Sequence, residues 1–346
     1  MSNQPPIGVP QGAIRLNTDS QKLEFYAQDR WYEMATDTPN LGDSPVGVRG
    51  LFFGEFDDSS NTPTIDYVTI SSQGNATDYG DLITVQFYGG VTSSHRRWIY
   101  FGGAPNNPTN QMQFGEIATT GNGTDFGDLT QSTHYNPSGV GNRTRGVRMG
   151  GSVDPSGGAQ NNMDYWQIDT LGNAIDFGDL VAAKRFAMSA NSPTRGMIYG
   201  GGFTNPTIGD NIIQFITIAS TGNAQTFGDI GSDNKAFGGN GVCCNATRAL
   251  FGGGGPNYKT TVSTVQMATT GTSYDFGDLT VGRAYPGSTA SATRAVWGGG
   301  YYTSPASYIN VIDYMSIATG GNAVDFGDRS VAGSYVSGCS NGHGGL

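Results

Sequence analysis

The chain has 346 residues, of which 55 are Gly and only 13% are charged. Its formal charge of −10 disfavours a nucleic-acid partner, because gripping a phosphate backbone takes clustered Lys and Arg. No apolar run reaches the ~18 residues of a membrane span, and Met1 to Pro10 lack the basic and apolar regions of a secretory signal. No membrane insertion is expected.

Residues 1–45 come first and stand apart from the rest of the chain. Gly12 to Asn17 and Lys22 to Tyr26 read as two short strands across a turn, and Asp29 to Met34 as a third. A sheet of this size is marginal alone in water. The segment is therefore expected to lean on a sister chain, a neighbouring protein or the rest of its own chain.

From residue 46 onward the sequence repeats. A Phe/Tyr-Gly-Asp triplet stands at Tyr79, Phe126, Phe177, Phe227, Phe276 and Phe326, with Gly-to-Gly spacings of 47, 51, 50, 49 and 50. A Gly-Asn turn precedes most triplets, as at Gly121-Asn122, Gly172-Asn173, Gly222-Asn223 and Gly321-Asn322. An Arg opens a short apolar strand that ends in glycines, as from Arg294 to Gly300. An alternating strand comes next, such as Val311 to Ala318. Each unit thus holds about four strands: small residues, apolar with terminal glycines, alternating, and triplet-bearing. Four strands in about 50 residues match one blade of a β-propeller.

The first repeat lacks its first strand, while the chain ends on a first strand with nothing after it. Arg329 to Gly342 aligns with Val281 to Ala292. The C-terminal strand is therefore expected to pair with the N-terminal three and complete a sixth blade, leaving no free sheet edge. The expected architecture is all-β: a six-bladed propeller over 46–346 behind a β-module over 1–45.

The glycine run closing the second strand resembles the di-glycine of kelch repeats, although the usual fourth-strand Trp is here the Phe or Tyr of the triplet. The pattern G-x-I-R-x-N, K-L-E-F-Y, R-W-Y-E-M over residues 12–34 resembles a β-module of tailed-phage fibres and appendages. The T-G-N-A-x-D-F-G-D-L core is similar to propeller repeats in virion proteins of phages of marine bacteria, cyanobacteria included. These resemblances imply a kelch-like virion protein assembled in the host cytoplasm.

Repeated residues read first as scaffold. Asp81, Asp128, Asp179, Asp229, Asp278 and Asp328 are expected to cap backbone amides or meet an Arg. Arg49, Arg97, Arg145, Arg195, Arg248 and Arg294 share one phase. They could line one mouth of the channel, but a repeated ion pair to the triplet Asp is the favoured reading. The aromatics Phe87, Tyr135, Phe186, Phe237, Tyr285 and Tyr335 could grip a sugar, with packing between sheets favoured.

Other motifs carry no chemistry. Asp-Phe-Gly recurs without a kinase's Gly-rich loop or catalytic segment, and the glycine runs lack the Lys and helix of a phosphate loop. His95, His134 and His343 share no metal spacing, and too few His are present for a copper radical oxidase. Cys243, Cys244 and Cys339 form no zinc pattern and are expected as reduced, buried residues. The sequons at Asn75, Asn122, Asn142 and Asn245 arise from an Asn- and Thr-rich repeat. No metal, cofactor or catalytic residue is expected.

The loops joining second to third strands vary most: 55–64, 104–110, 152–162, 203–211, 255–261 and 301–309. Variation on one face is where propellers place binding. Tyr258, Tyr301, Tyr302 and Tyr308 are the candidate ligand contacts, because exposed aromatics stack on sugar rings; the other reading is solvated loops. The expected function is a virion structural protein (tail fibre, spike or other appendage) rather than an enzyme. It would bind other virion proteins through residues 1–45, form a homo-oligomer on the particle, and either bind a host-surface glycan or receptor or decorate the particle. The alternatives are a glycan hydrolase or lyase on a propeller scaffold and a cellular kelch-like interaction module.

Overall fold

The computed structural model describes residues 8–17, 22–33, 48–56, 61–103, 109–135, 137–153, 158–201, 211–230, 241–254, 258–303 and 306–346. The chain divides into two compact units, Met1–Asp43 and Ser44–Leu346. Among the described residues every strand pairing is antiparallel and no helix occurs.

The first unit is a three-stranded sheet in the order β1 (Ile14–Asn17), β2 (Lys22–Ala27), β3 (Arg30–Glu33). Period-2 alternation sorts its side chains onto two faces. On one face Arg15 meets Glu24 at 2.7 Å and lies 4.3 Å above the ring of Trp31, which also packs on Tyr26. On the other, Ile14 pairs with Phe25 and Leu16 with Leu23. All four are exposed, with Ile14 at 64% and Leu16 at 60%. Tyr32 stacks on Phe25 at 5.5 Å and extends this open apolar face.

Among its described residues the second unit contains six four-stranded sheets. Five are consecutive. They are β7 (Gly90–Ser93) to β8 (Arg97–Phe101), β9 (Thr109–Glu116) and β10 (Thr124–Thr133); β11 (Ser138–Gly141) to β12 (Arg145–Met149), β13 (Gln160–Gln167) and β14 (Ile175–Lys184); β15 (Ala187–Asn191) to β16 (Arg195–Gly200), β17 (Ile212–Thr217) and β18 (Gln225–Asp229); β19 (Gly241–Cys244) to β20 (Arg248–Gly252), β21 (Thr261–Gln266) and β22 (Tyr274–Asp278); and β23 (Gly287–Ala290) to β24 (Arg294–Gly298), β27 (Val311–Ser316) and β28 (Val324–Asp328). In the loop of the last, β25 (Tyr301–Thr303) and β26 (Ala306–Tyr308) form a hairpin where the sequence predicts only loop. The remaining sheet joins the two ends of the second unit: β29 (Ser337–Ser340) pairs with β4 (Arg49–Phe56), succeeded by β5 (Asn61–Thr69) and β6 (Thr77–Asp81).

The first strands lie beside one another in the order β7, β11, β15, β19, β23, β29, and β29 also lies against β7. They are built mostly of small residues (Gly, Ser, Thr, Ala and Cys) because their backbones approach closely. Their hydroxyls bridge to neighbouring carbonyls: Ser138 donates to Ala187, Thr289 to Cys339, Ser93 to Ser340 and Ser337 to Gly89. The apolar cores lie between neighbouring sheets, where Phe101 of one meets Trp166 of the next and Phe53 meets Trp98. All three cysteines are buried free thiols.

The triplet aromatic is a β-bulge. In the sheet of β4 to β6, Ile65 opposes Gly80 and Asp66 opposes Asp78, so Tyr79 is the extra residue. The same shift occurs opposite Phe126, Phe177, Phe227, Phe276 and Phe326, and all six rings are buried. The bulge sets two residues of the triplet strand opposite one of its partner. The triplet Gly then lets the next repeat approach: a Cβ on Gly80 would collide with the carbonyl of Gly121, on Gly277 with Gly321, and on Gly327 with Gly74.

Candidate functional site

The repeated arginines are tied between sheets. Arg97 donates to the carbonyls of Ile168 and Asp169, Arg195 to Met267 and Ala268, Arg248 to Ile317 and Ala318, and Arg294 to Ile70 and Ser71. Arg49 and Arg145 make the same reach to Ile117 and Ile218. Each guanidinium also lies over an aromatic ring of its own sheet, as Arg49 does 4.5 Å from Tyr67. Among the described residues none pairs with a triplet Asp, contrary to the expected ion pair. Carbonyls at the end of a neighbouring strand offer the planar guanidinium two acceptors, and the ring beneath adds a cation–π contact.

The triplet aspartates act chiefly through their backbone, although the Asp278 carboxylate also accepts the Thr260 hydroxyl at 2.9 Å. Asp81, Asp128, Asp179, Asp278 and Asp328 donate N–H to the side chains of Asn122, Asn173, Asn223, Asn322 and Asn75. Asp229 accepts the N–H of Ser273 through its carbonyl.

A further repeated position is one the sequence motifs do not pick out. Asp66, Gln113, Asp164, Gln214, Ser263 and Asp313 stand opposite the bulge on the third strand, all buried. Five of them receive the segment leaving the preceding triplet: Ile83 N–H reaches Gln113 at 2.8 Å, Val181 N–H reaches Gln214 at 2.7 Å, and Thr130, Thr280 and Ser330 bind Asp164, Asp313 and Asp66. Each of these Asp carries a buried Arg: Arg148 on Asp164 and Arg283 on Asp313 at 2.6 Å, and Arg329 between Glu55 and Asp66. The signal is present as an apolar–Asp/Gln–aromatic trio at 65–67, 112–114, 163–165, 213–215 and 312–314.

What remains outside the repeated ties is an arc of aromatic rings. Tyr88, Tyr285 and Tyr335 stand two residues before their first strands, and Phe186 holds the same place in register. All four have left-handed backbones, with φ of 61°, 59°, 58° and 55°. A non-glycine residue there costs about 1–2 kcal/mol. The sequence spacing puts Phe87 in this series, but Tyr88 holds the position and the buried Phe87 packs beside it at 4.8 Å. Phe237 lies outside the described residues.

The rings touch in succession. Tyr285 meets Tyr335 at 4.1 Å, Tyr335 meets Tyr88 at 4.2 Å, Tyr88 meets Tyr135 at 5.1 Å, and Tyr135 stacks on Phe186 at 4.7 Å. Phe56 connects Tyr335 to Tyr308, Tyr308 meets Tyr301, and Tyr301 meets Tyr258. Three of the four loop tyrosines singled out from sequence thus join one surface with the arc. Tyr302 stands on the hairpin opposite Ser307 and, among the described residues, meets none of these rings. The arc tyrosines are half-buried. Burial raises the phenols of Tyr88, Tyr285 and Tyr335 well above the usual tyrosine range, so they remain un-ionised.

Gly89, Ala187, Pro286 and Val336, which come directly after the four left-handed residues, line a cavity of about 100 Å³ between the first strands. The arc therefore stands at one end of it. His343 lines it too, from the C-terminal tail. It is half-buried, with Nε2 2.9 Å from the carbonyl of Ser93 and Nδ1 accepting from Gly345 N–H at 3.0 Å. Among the described residues no group of three or more His, Cys, Asp or Glu gathers as metal ligands. A scan against protein-family models finds none that matches the chain, and a search of curated proteins finds no relative by sequence.

Proposed function

We propose that the second unit is a six-bladed, kelch-like β-propeller carried as an exposed head on a tailed-phage virion, with residues 1–45 as its anchoring or oligomerising module. Support for the ring comes from β29, which lies against both β23 and β7, and from the turn-on-triplet docking that runs on from Gly327 to Gly74. Paired glycines with positive φ after the second strand, such as Gly102-Gly103 and Gly299-Gly300, support the kelch-like reading.

The observation that carries a binding role rather than catalysis is the division of labour among side chains. The repeated Arg and Asp and the polar third-strand position are spent on ties between sheets, while the aromatic surface from Tyr258 to Phe186 differs from sheet to sheet. A rigid ring with one irregular aromatic face suits recognition of a surface ligand. The open face of Ile14, Leu16, Leu23 and Phe25 supports the anchoring role, since exposed apolar patches mark contact sites.

Cryo-electron microscopy of purified particles tests this. Density for the propeller at a fixed place on the virion, attached through residues 1–45, is the expected result. Particles that lack the chain overturn the reading.

A further inference from the structure

The arc is not the least-strained solution to its own backbone. Two residues before a first strand, four sheets carry an aromatic residue at positive φ. In the other two sheets the sequence has Asn136 and Gly239, two residues before Ser138 and Gly241. Gly and Asn adopt this conformation at least cost. If the chain needed only the turn, Gly or Asn would serve at these four places. The aromatic rings are therefore kept at a cost in strain, and strain maintained against a cheaper residue points to use.

The four are also unevenly placed. In sheet order the positions read Tyr285, Tyr335, Tyr88, Asn136, Phe186, Gly239, with Tyr135 supplying a ring beside Asn136. Among the described residues five rings stand in succession, and the sequence has Gly239 at the sixth position. Such an arc has a direction, which a single asymmetric ligand requires and a symmetric packing plug does not.

Charge narrows the ligand. The nearest cations along the chain are buried and committed: Arg283 to Asp313, and Arg329 to Glu55 and Asp66. Lys184 and Arg185, before Phe186, are buried as well. His134 packs edge-on against Tyr135 at 4.0 Å. The phenols of Tyr88, Tyr285 and Tyr335 are un-ionised. Among the described residues the arc thus offers ring faces and neutral hydroxyls, and the cations that flank it in sequence are buried.

We propose that this arc of Tyr285, Tyr335, Tyr88, Tyr135 and Phe186 is a binding site for a neutral saccharide. A pyranose presents C–H groups on one face and hydroxyls at its edge, which matches aromatic faces bordered by phenol hydroxyls. The site lies at the cavity mouth rather than in the loops, with Tyr308 and Tyr301 extending it outward. It rests on the proposed function only in taking the second unit for a displayed binding head.

The test uses the full chain on an array of neutral oligosaccharides, sialylated and uronic-acid oligosaccharides and proline-rich peptides. The variants are Tyr285→Gly and Tyr335→Gly, which install the residue that the sequence has at Gly239. The expected result is binding to a neutral saccharide that each variant weakens at least about tenfold, with melting temperatures within about 3 °C of the unmutated chain because strain relief offsets lost packing. Binding unchanged in both variants, binding confined to acidic glycans or proline-rich peptides, or no saccharide binding at all would overturn the site. If a variant fails to fold, the structure of the unmutated chain with its saccharide decides, and a sugar held away from the arc is fatal to the proposal. Failure here leaves the particle location standing, and absence from particles leaves the saccharide result standing.

Discussion

Asn341 accepts the backbone N–H of Arg49 through its side-chain oxygen at 2.8 Å, across 292 residues of chain. Elsewhere the same cap is local. Ser94, Asn142, Ser192, Asn245 and Ser291 accept the N–H of Arg97, Arg145, Arg195, Arg248 and Arg294, three residues on, in the turn between first and second strands. The sixth turn has no covalent link, yet its hydrogen bond is formed. Deleting residues 332–346 removes this cap and β29 together, exposing the edge of β4. We expect the melting temperature to fall by more than about 10 °C or cooperative melting to be lost. Asn341→Ala, which removes the cap alone, should cost about 1 kcal/mol. A truncated chain that melts like the full one would refute this role for β29.

Glycine in the triplet is a matter of room more than of backbone freedom, and one pair of substitutions separates the two. Gly277 and Gly321 have φ of 149° and 142°. A Cβ on Gly277 would strike the carbonyl of Gly321, whereas a Cβ on Gly321 would meet nothing within 4 Å. Gly321→Ala should therefore cost only conformational strain, about 1–2 kcal/mol. Gly277→Ala should cost at least about 2 kcal/mol more, as neighbouring sheets are forced apart. Urea denaturation of the two variants measures the difference, and equal costs would remove close approach as the reason for the triplet.

The period, the four-strand unit and the partner of the C-terminal strand are legible in the sequence because each is a pattern of residue types at fixed spacing. The partners of the arginines are not. A backbone carbonyl accepts regardless of which residue carries it, so Ile317 and Ala318 give no sign that they receive Arg248. Tyr88 is hidden for a different reason. Phe87 and Tyr88 are adjacent, and only the pairing of Gly90 with Phe101 shows which of them lies two residues before its strand. The loop tyrosines and the arc read as separate groups in the sequence because Phe56, which meets both Tyr308 and Tyr335, joins them by contacts no spacing encodes.

The buried ion pair of Arg283 and Asp313 predicts an asymmetry between single and double substitution. Both side chains are wholly removed from solvent, and Arg283 also donates to the carbonyls of Gly299 and Val311. Asp313→Leu leaves the guanidinium buried without its counter-ion and should cost about 3–5 kcal/mol. Adding Arg283→Met removes that charge and should restore much of the loss. Recovery stays incomplete because Thr280 has also lost its acceptor. Denaturant midpoints of the three variants provide the check, with a double variant no better than the single as the contrary result.

His343 makes the C-terminal tail sensitive to acid. Gly345 N–H can only donate, so Nδ1 must be an acceptor, and Nε2 carries the proton that faces the carbonyl of Ser93. Asn191 Nδ2 also lies 3.1 Å from Nδ1. Protonation would set a third N–H against two donors in a site without a carboxylate to accept it. Burial, with a smaller effect from His95 nearby, lowers the His343 pKa to about 4. An unfolded His titrates near ~6.5, so between these values the unfolded chain binds more protons than the folded one. The contribution of neutral His343 is complete above the unfolded value and is lost as pH falls toward 4. At pH 5 the folded state should have lost about 2 kcal/mol relative to pH 7.5 from this group. His95, which burial also shifts downward and which Arg143 shifts further, adds a decline of the same sign. Replacing His343 with Gln removes the titrating ring and keeps a side chain able to donate and accept. Stability measured in urea at pH 7.5 and pH 5 should then fall less in His343→Gln than in the parent chain. The same fall in both would mean that the tail is not held by the neutral ring.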